Sequence, residues 1–222
     1  MPGSATISWF NIIASTPLTL FGTDTDATID TNQNSNTISS VPANSLLVVT
    51  MANNNDSNTN PIGSITSSPS LTWVKQADAS SPSSGNCEIW TAFFNAGGSI
   101  TVTPTWDALV AALSSCLYAF TNSELTLGGA STVETGETAP STNITTTRDS
   151  SYVIGVISDW NAINGARTYR NGETELLYDW QDTYYTGYHF YKLVATAGAN
   201  TFGVSAPSGQ SSGVCLLEIR GA

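Results

Sequence analysis

Two stretches of the chain, residues 36–51 and 143–157, share one pattern of polar and hydrophobic positions. Each begins with a short polar segment of strand-forming residues, turns through a polar corner and enters an apolar run. The offset that aligns Ile38 with Ile144 also aligns the serines that open the two apolar runs. A constant offset across a whole motif indicates an internal duplication.

Two further pairs of motifs extend the duplication. Ala96–Pro104 resembles Ala197–Ser205, and Ser115–Phe120 resembles Val214–Ile219. Between them, short runs of strand-forming residues alternate with turns rich in Gly, Asn and Ser, a pattern typical of sandwiches and barrels. We therefore expect an all-β fold, namely a jelly-roll-like antiparallel β-sandwich built from two similar halves whose strands interleave.

The same pattern predicts how the chain is divided. Residues 1–22 are expected to form an extended N-terminal arm and first strand, and residues 23–222 a single β-sandwich domain with halves of about 23–124 and 125–222. Three segments interrupt the predicted strands: a polar connector over Thr23–Asp30, a short helix or loop over Asp107–Leu113, and a bridge over Leu125–Thr142.

The charge of the chain limits the classes of molecule that it is expected to bind. The net charge is −11, and there are only six Lys plus Arg residues. Nucleic-acid binding requires clustered cations, and anionic membranes repel an acidic surface. The first residues lack the features of a signal peptide, and no apolar segment has the length of a membrane span. We expect no nucleic-acid partner, no membrane partner, and synthesis in a cytoplasm without a signal peptide.

The three cysteines are an odd number, so they cannot form a closed disulfide framework. Cys116 and Cys215 occupy corresponding places in the last strands of the two halves, where buried free thiols are expected. A bridge between these two stays open as an alternative, because it requires the halves to face each other. Cys87 opens a predicted strand and is expected to be packed.

His189 is the only histidine, and it lies in a predicted strand of a chain without a nucleophile motif. Since a catalytic triad needs an acid and a nucleophile beside the imidazole, we expect a structural or surface histidine. No pair of carboxylates stands in an apolar setting that would raise the pKa of one of them. The sequence thus predicts a protein that is not an enzyme and uses no cofactor.

Asp24, Asp26 and Asp30 offer oxygen ligands for a cation such as Ca²⁺. Their spacing lacks the glycine and the terminal glutamate of an EF-hand loop, and a polar connector explains them equally well. No metal site is predicted, and these three residues are the nearest candidates for one.

Two groups of hydrophobic residues lie outside the duplicated pattern. The first lies in the N-terminal arm, which is expected either to form an edge strand of the sandwich or to bind a partner such as a neighbouring subunit: Ile7, Trp9, Phe10, Ile12 and Ile13. The second combines aromatic rings with neighbouring Asp and Gln: Trp160, Trp180, Tyr184 and Tyr185. Such rings can stack on sugars, anchor a protein interface or cap a core.

The order of these elements resembles a β-sandwich module of bacteriophage virion proteins that also occurs in bacterial surface proteins. The resemblance rests on Thr37–Val49, Ser70–Trp73, Glu88–Phe93 and Ala96–Val102, together with the second half of the chain. It implies a β-sandwich or jelly-roll fold and carries over no catalytic residue.

A short, acidic chain without a signal peptide resembles a stand-alone virion component more than a bacterial surface protein. The resemblance implies a capsid decoration (cement) protein on the virion surface, which stabilises the head by bridging major capsid subunits, commonly as a homotrimer. The arm segment Ile7–Ile13 would then contact the shell or a sister subunit. The alternative is a tail or head-fibre module that binds host-surface glycan through the Trp160–Tyr185 aromatics.

Overall fold

The computed structural model describes residues 16–54, 63–80 and 85–222, and all regular elements in these ranges are strands. The first half contains β1 (Thr19–Gln33), β2 (Asn36–Val41), β3 (Ser45–Asn53), β4 (Gly63–Ser68), β5 (Val74–Ser80), β6 (Asn86–Phe94) and β7 (Gly98–Thr121). The second half contains β8 (Ala130–Thr138), β9 (Ser141–Thr146), β10 (Ser151–Asp159), β11 (Thr168–Tyr169), β12 (Thr174–Gln181), β13 (Tyr185–Val194), β14 (Gly198–Ala206) and β15 (Gln210–Ile219). The predicted all-β, antiparallel fold is confirmed.

Each half forms its own pair of sheets. In the first half, a five-stranded sheet has the order β1-β7-β3-β6-β5, and the first part of β7 also pairs with β2 and β4. The second half repeats this plan as β8-β15-β10-β13-β12 and β9-β14-β11. The expectation that the halves interleave is therefore wrong. Each half has enough strands to complete a sandwich, and backbone bonds between the halves in the described ranges are confined to the segments around Ser123 and Gly221.

The strand order within each half is close to that of a jelly roll. The long strand β7 corresponds to β14 and β15 together, because its first part lies in one sheet and its second part in the other. If the two parts of β7 are counted as the seventh and eighth strands, one sheet has the order first, eighth, third, sixth and fifth. The other sheet then has the order second, seventh and fourth. A jelly roll differs only in placing the fifth strand beside the fourth.

The duplication extends to irregular details. Strands β3 and β10 pair with their neighbours in the same register. In addition, β5 has a bulge between Lys75 and Ala77, and β12 has one between Glu175 and Leu177, at the corresponding place. Because bulges are retained within families, this shared irregularity confirms that the two halves are copies of one module.

The two five-stranded sheets face each other and enclose an apolar layer that we call the seam. Strand β3 lies against its own counterpart β10. The other contacts come in pairs that the duplication relates to each other. The contact of β1 with β12 corresponds to that of β8 with β5, and the contact of β7 with β13 corresponds to that of β15 with β6. Such reciprocal contacts are those of a two-fold (isologous) interface, here formed inside one chain. The molecule thus has four layers of sheet, with the three-stranded sheets outermost.

The position of β3 in this stack explains its uninterrupted apolar sequence. Leu46 and Val48 face the seam, and Leu47 and Val49 face the core of the first sandwich. All nine residues of the strand are buried, since both of its faces are covered. In the corresponding strand β10, all residues except the half-buried Tyr152 are buried.

The three segments predicted to interrupt the strands are themselves parts of strands. Thr23–Asp30 lies in the middle of β1, Asp107–Leu113 lies within β7, and β8 occupies half of the predicted bridge Leu125–Thr142. Strands β1 and β8 are sheet edges, where polar side chains on the exposed side protect against edge-to-edge association. Their Thr, Asp and Glu residues therefore obscure the alternation from which the other strands were predicted.

Candidate functional site

The residues predicted to bind a partner through the N-terminal arm lie outside the described residues. They are Ile7, Trp9, Phe10, Ile12 and Ile13, and their role stays a prediction. Beside the start of the described chain, a cavity of about 140 Å³ lies between Leu18, Arg148 and Gly221.

The aspartates proposed as cation ligands bind backbone groups of the neighbouring strand. Asp24 Oδ2 accepts a hydrogen bond from the Thr37 amide at 2.6 Å, and Asp26 Oδ2 accepts one from the Ser35 amide at 2.8 Å. The Asp30 side chain is not described. Among the side chains that the structure describes, no group of three or more metal-binding residues occurs. Asp24 and Asp26 therefore attach β1 to the beginning of β2.

The predicted aromatic residues separate into exposed and buried rings. Trp180 is 38% exposed and Tyr184 is 43% exposed, whereas Tyr185 is fully buried and donates its hydroxyl proton to Asp179. Trp160 is half-buried. We call the region formed by Tyr178, Trp180, Tyr184 and loop 160–167 the aromatic corner. Tyr185 faces the seam, so its inclusion among the glycan candidates is corrected.

The aromatic corner is held rigidly by hydrogen bonds from the loop. Trp180 donates its indole proton to the Ala162 carbonyl at 3.0 Å, which orients the ring. At the start of the loop, the Asp159 carboxylate accepts bonds from the Asn161 and Ile163 amides at 3.0 and 2.9 Å. Burial raises the pKa of Asp159 to about 6, although these hydrogen bonds act in the opposite direction. The loop therefore provides a fixed support for the Trp180 ring.

One ring of the corner is already covered by a cation. The Arg167 guanidinium lies 3.8 Å from the Tyr178 ring centroid and binds both oxygens of Glu175, at 2.6 and 3.0 Å. The bond to Glu175 raises the pKa of Arg167. Since the cation occupies one face of Tyr178, Trp180 and Tyr184 are the rings available to a ligand. The first half carries Asp78 and Ser80 in place of Tyr178 and Trp180, so the corner is not duplicated.

His189 lies in the seam and connects the two halves. Its Nδ1 is 2.7 Å from Thr50 Oγ1 and its Nε2 is 2.8 Å from Ser114 Oγ, both hydroxyls belonging to the first half. Burial lowers the pKa of His189 to about 3. A neutral imidazole donates one bond and accepts the other, which matches two hydroxyl neighbours. With no exposed surface, this Ser–His pair is a structural link, as the sequence predicts for His189.

A buried carboxylate, Glu218, organises the loop between β9 and β10. Its carboxylate accepts bonds from the amides of Gly129, Thr147 and Arg148 and from the hydroxyls of Thr147 and Ser151, at 2.8 to 3.2 Å. Burial raises its pKa, but these hydrogen bonds outweigh the effect and the pKa lies below its usual value. This carboxylate serves the fold.

All three cysteines are free and buried, as predicted. The Cys215 sulfur lies 3.4 Å from the Cys87 sulfur. The fold therefore brings Cys215 next to Cys87, and not next to Cys116 as the alternative of a Cys116–Cys215 bridge requires. The thiol of Cys116 interacts with Thr50 instead.

Sequence reasoning missed the polar residues of the seam. Thr50 and Ser114 are polar residues within apolar strands. A polar residue at such a position predicts a buried hydrogen-bond partner. The partner itself, His189, was not predictable, because it comes from the other copy of the module.

Comparison with models of protein families, with curated proteins and with solved structures found no match to this chain. In the ranges that the structure describes, no helix has the length and hydropathy needed to cross a membrane.

Proposed function

We propose that the protein is a non-enzymatic virion structural protein, a capsid decoration protein that bridges major capsid subunits at the virion surface. The observation that carries this proposal is the jelly-roll-like strand order of each half, an architecture used by viral capsid and lectin domains. Because the two modules pack together through the seam, their three-stranded outer sheets face in opposite directions. A bridging protein needs two similar faces of this kind to contact two equivalent neighbours.

The composition supports the same proposal. A net charge of −11 disfavours contact with packaged nucleic acid and suits a protein that binds the outside of a protein shell. In this proposal the arm residues Ile7–Ile13 provide the apolar contact with the shell or with a sister subunit. Assembly as a homotrimer, which the resemblance to decoration proteins implies, belongs to the same proposal.

Deletion of residues 1–16 is expected to abolish binding to capsids while the β-sandwiches remain folded. Added to particles that lack it, the intact protein should co-sediment at a stoichiometry set by the number of capsid subunits, and the truncated protein should stay in the supernatant. Circular dichroism and the unfolding temperature report folding. Undiminished binding of the truncated protein would refute a docking role for the arm, and absence of the intact protein from purified particles would refute the decoration function.

A second candidate function is glycan binding by a tail or head-fibre module, favoured by the fixed and exposed indole of Trp180 beside Tyr184. Stacking on an aromatic ring contributes much of the affinity in such sites. We expect Trp180→Ala to remove binding on a glycan array, with Trp90→Ala in the other half as the matched control. A lack of binding by the intact protein would eliminate this candidate. The Trp180 variant should retain capsid binding, which separates the two functions.

A further inference from the structure

Two cysteines from different halves meet in the seam. Cys87 on β6 and Cys215 on β15 are both fully buried, and their sulfurs are 3.4 Å apart. Cys215 also donates its thiol proton to the Cys87 carbonyl at 3.2 Å. A disulfide requires the sulfurs to approach to about 2.0 Å.

The backbones around this pair are unusually close for facing sheets. A Cβ atom built on Gly213 would lie 2.7 Å from the Ala79 carbonyl oxygen, and one built on Gly85 would lie 2.9 Å from the Ser158 carbonyl oxygen. Gly213 lies in β15 two residues before Cys215 and therefore faces the seam as that cysteine does, while Gly85 lies just before β6, two residues before Cys87. Sheets normally pack about 10 Å apart, and a disulfide needs a closer approach, which side chains at these two positions would prevent.

The duplication supplies an internal control. Cys116 is the counterpart of Cys215, but the position that corresponds to Cys87 is occupied by Gly187. The two-fold related place in the seam therefore contains one thiol and no second sulfur. A cross-link can therefore form at only one of the two related places in the seam, and Cys116 has no cysteine partner at the other.

We propose that Cys87 and Cys215 form a disulfide when the protein leaves a reducing compartment, and that this bond locks the two sandwiches together. With a peroxide as oxidant, one thiol takes an oxygen atom to give a sulfenic acid and one water. The second thiol then displaces hydroxide from that sulfur, which forms the S–S bond and a second water. Two thiols lose two electrons, and one peroxide is reduced to two waters. The lock is independent of what the protein binds.

The test is oxidation of the folded protein with hydrogen peroxide, followed by titration of thiols under denaturing conditions. The wild type should fall from three thiols to one, its mass should fall by two hydrogens, and its unfolding temperature should rise by about 10 °C until a reductant is added. Cys116→Ser should retain the cross-link and have no thiol left, whereas Cys87→Ser and Cys215→Ser should form none.

Two controls keep the outcome decisive. If peroxide does not enter the closed seam, the reduced wild-type chain is refolded in oxidised and reduced glutathione, where the same bond should form. A linked peptide containing Cys116, oxidation to sulfinic acid without a cross-link, or three thiols after refolding would each overturn the proposal. Alanine variants at the same positions replace any serine variant that does not fold.

Discussion

Replacement of Glu218 by alanine is expected to destabilise the protein by about 4 kcal/mol. Its carboxylate accepts bonds from three backbone amides and two hydroxyls around the turn between β9 and β10. Without it, these donors remain near the core without partners, and each such group costs about 1–3 kcal/mol. Urea unfolding at pH 7, followed by intrinsic fluorescence, measures the change.

The effect should be specific to this position. Glu134→Ala on the exposed edge strand β8 removes the same charge and should change stability by less than about 0.5 kcal/mol. Because the folded-state pKa of Glu218 lies below its ordinary value of 4.5, its contribution is complete above that pH and is lost as pH falls through the folded-state pKa. A Glu218→Ala variant as stable as Glu134→Ala would show that the turn does not depend on the carboxylate.

His189 is expected to make the protein sensitive to acid. Its pKa is lowered from an ordinary 6.5 to about 3 in the folded state, so the unfolded chain takes up a proton first as the pH falls. A base with a depressed pKa stabilises the fold fully above about pH 6.5, and stability then falls by about 1.4 kcal/mol per pH unit down to about pH 3. The total loss from this one residue is about 5 kcal/mol.

Other titrating groups modify this loss. Asp159, with its pKa raised from 3.8 to about 6, takes up its proton in the folded state first, so its titration stabilises the fold as pH falls through that interval. Burial also raises the pKa of Asp179, whose partner Tyr185 interacts with Ser114 beside the imidazole. Both carboxyls oppose His189 and reduce the net slope.

The difference between variants isolates the histidine. Unfolding free energies are measured from pH 3 to pH 7.5 for the wild type, His189→Gln and Asp159→Asn. We expect His189→Gln to be less stable at pH 7 but to lack the part of the acid-dependent loss that comes from the imidazole, and Asp159→Asn to show a steeper loss than the wild type. Parallel pH profiles of the wild type and His189→Gln would contradict a buried neutral imidazole.

The sequence contained enough information for the strands whose residues report burial directly. Runs such as Leu46–Met51 and Tyr152–Ile157 are apolar because both faces of β3 and β10 are covered, and the offset between them revealed the duplicated module. The same runs are compatible with one interleaved sandwich or with two sandwiches in contact. Local patterns do not specify which sheet a strand joins, so the arrangement was predicted wrongly.

The candidate site was predictable only in part. Trp180 and Tyr184 were identified because they are aromatic residues with Asp and Gln nearby in the sequence. The burial of Tyr185 was not predictable in this way, because Tyr185 is buried by the other half, against which it packs in the seam. The link between His189 and Thr50, and the proximity of Cys87 and Cys215, likewise join residues far apart in the chain. Contacts of this kind arise from the two-fold packing of the modules.

The two-fold seam also has an evolutionary consequence. A face that packs against its own copy is what a homodimer of a single module would need, so we infer that the chain descends from such a dimer through gene duplication and fusion. In a homodimer every seam mutation appears twice. In the fused chain it appears once, and the seam has diverged accordingly: where one end has His189 with Thr50 and Ser114, the other has Ile89, Val156 and Gly213. Fusion has therefore allowed the two ends of the seam to accept different side chains.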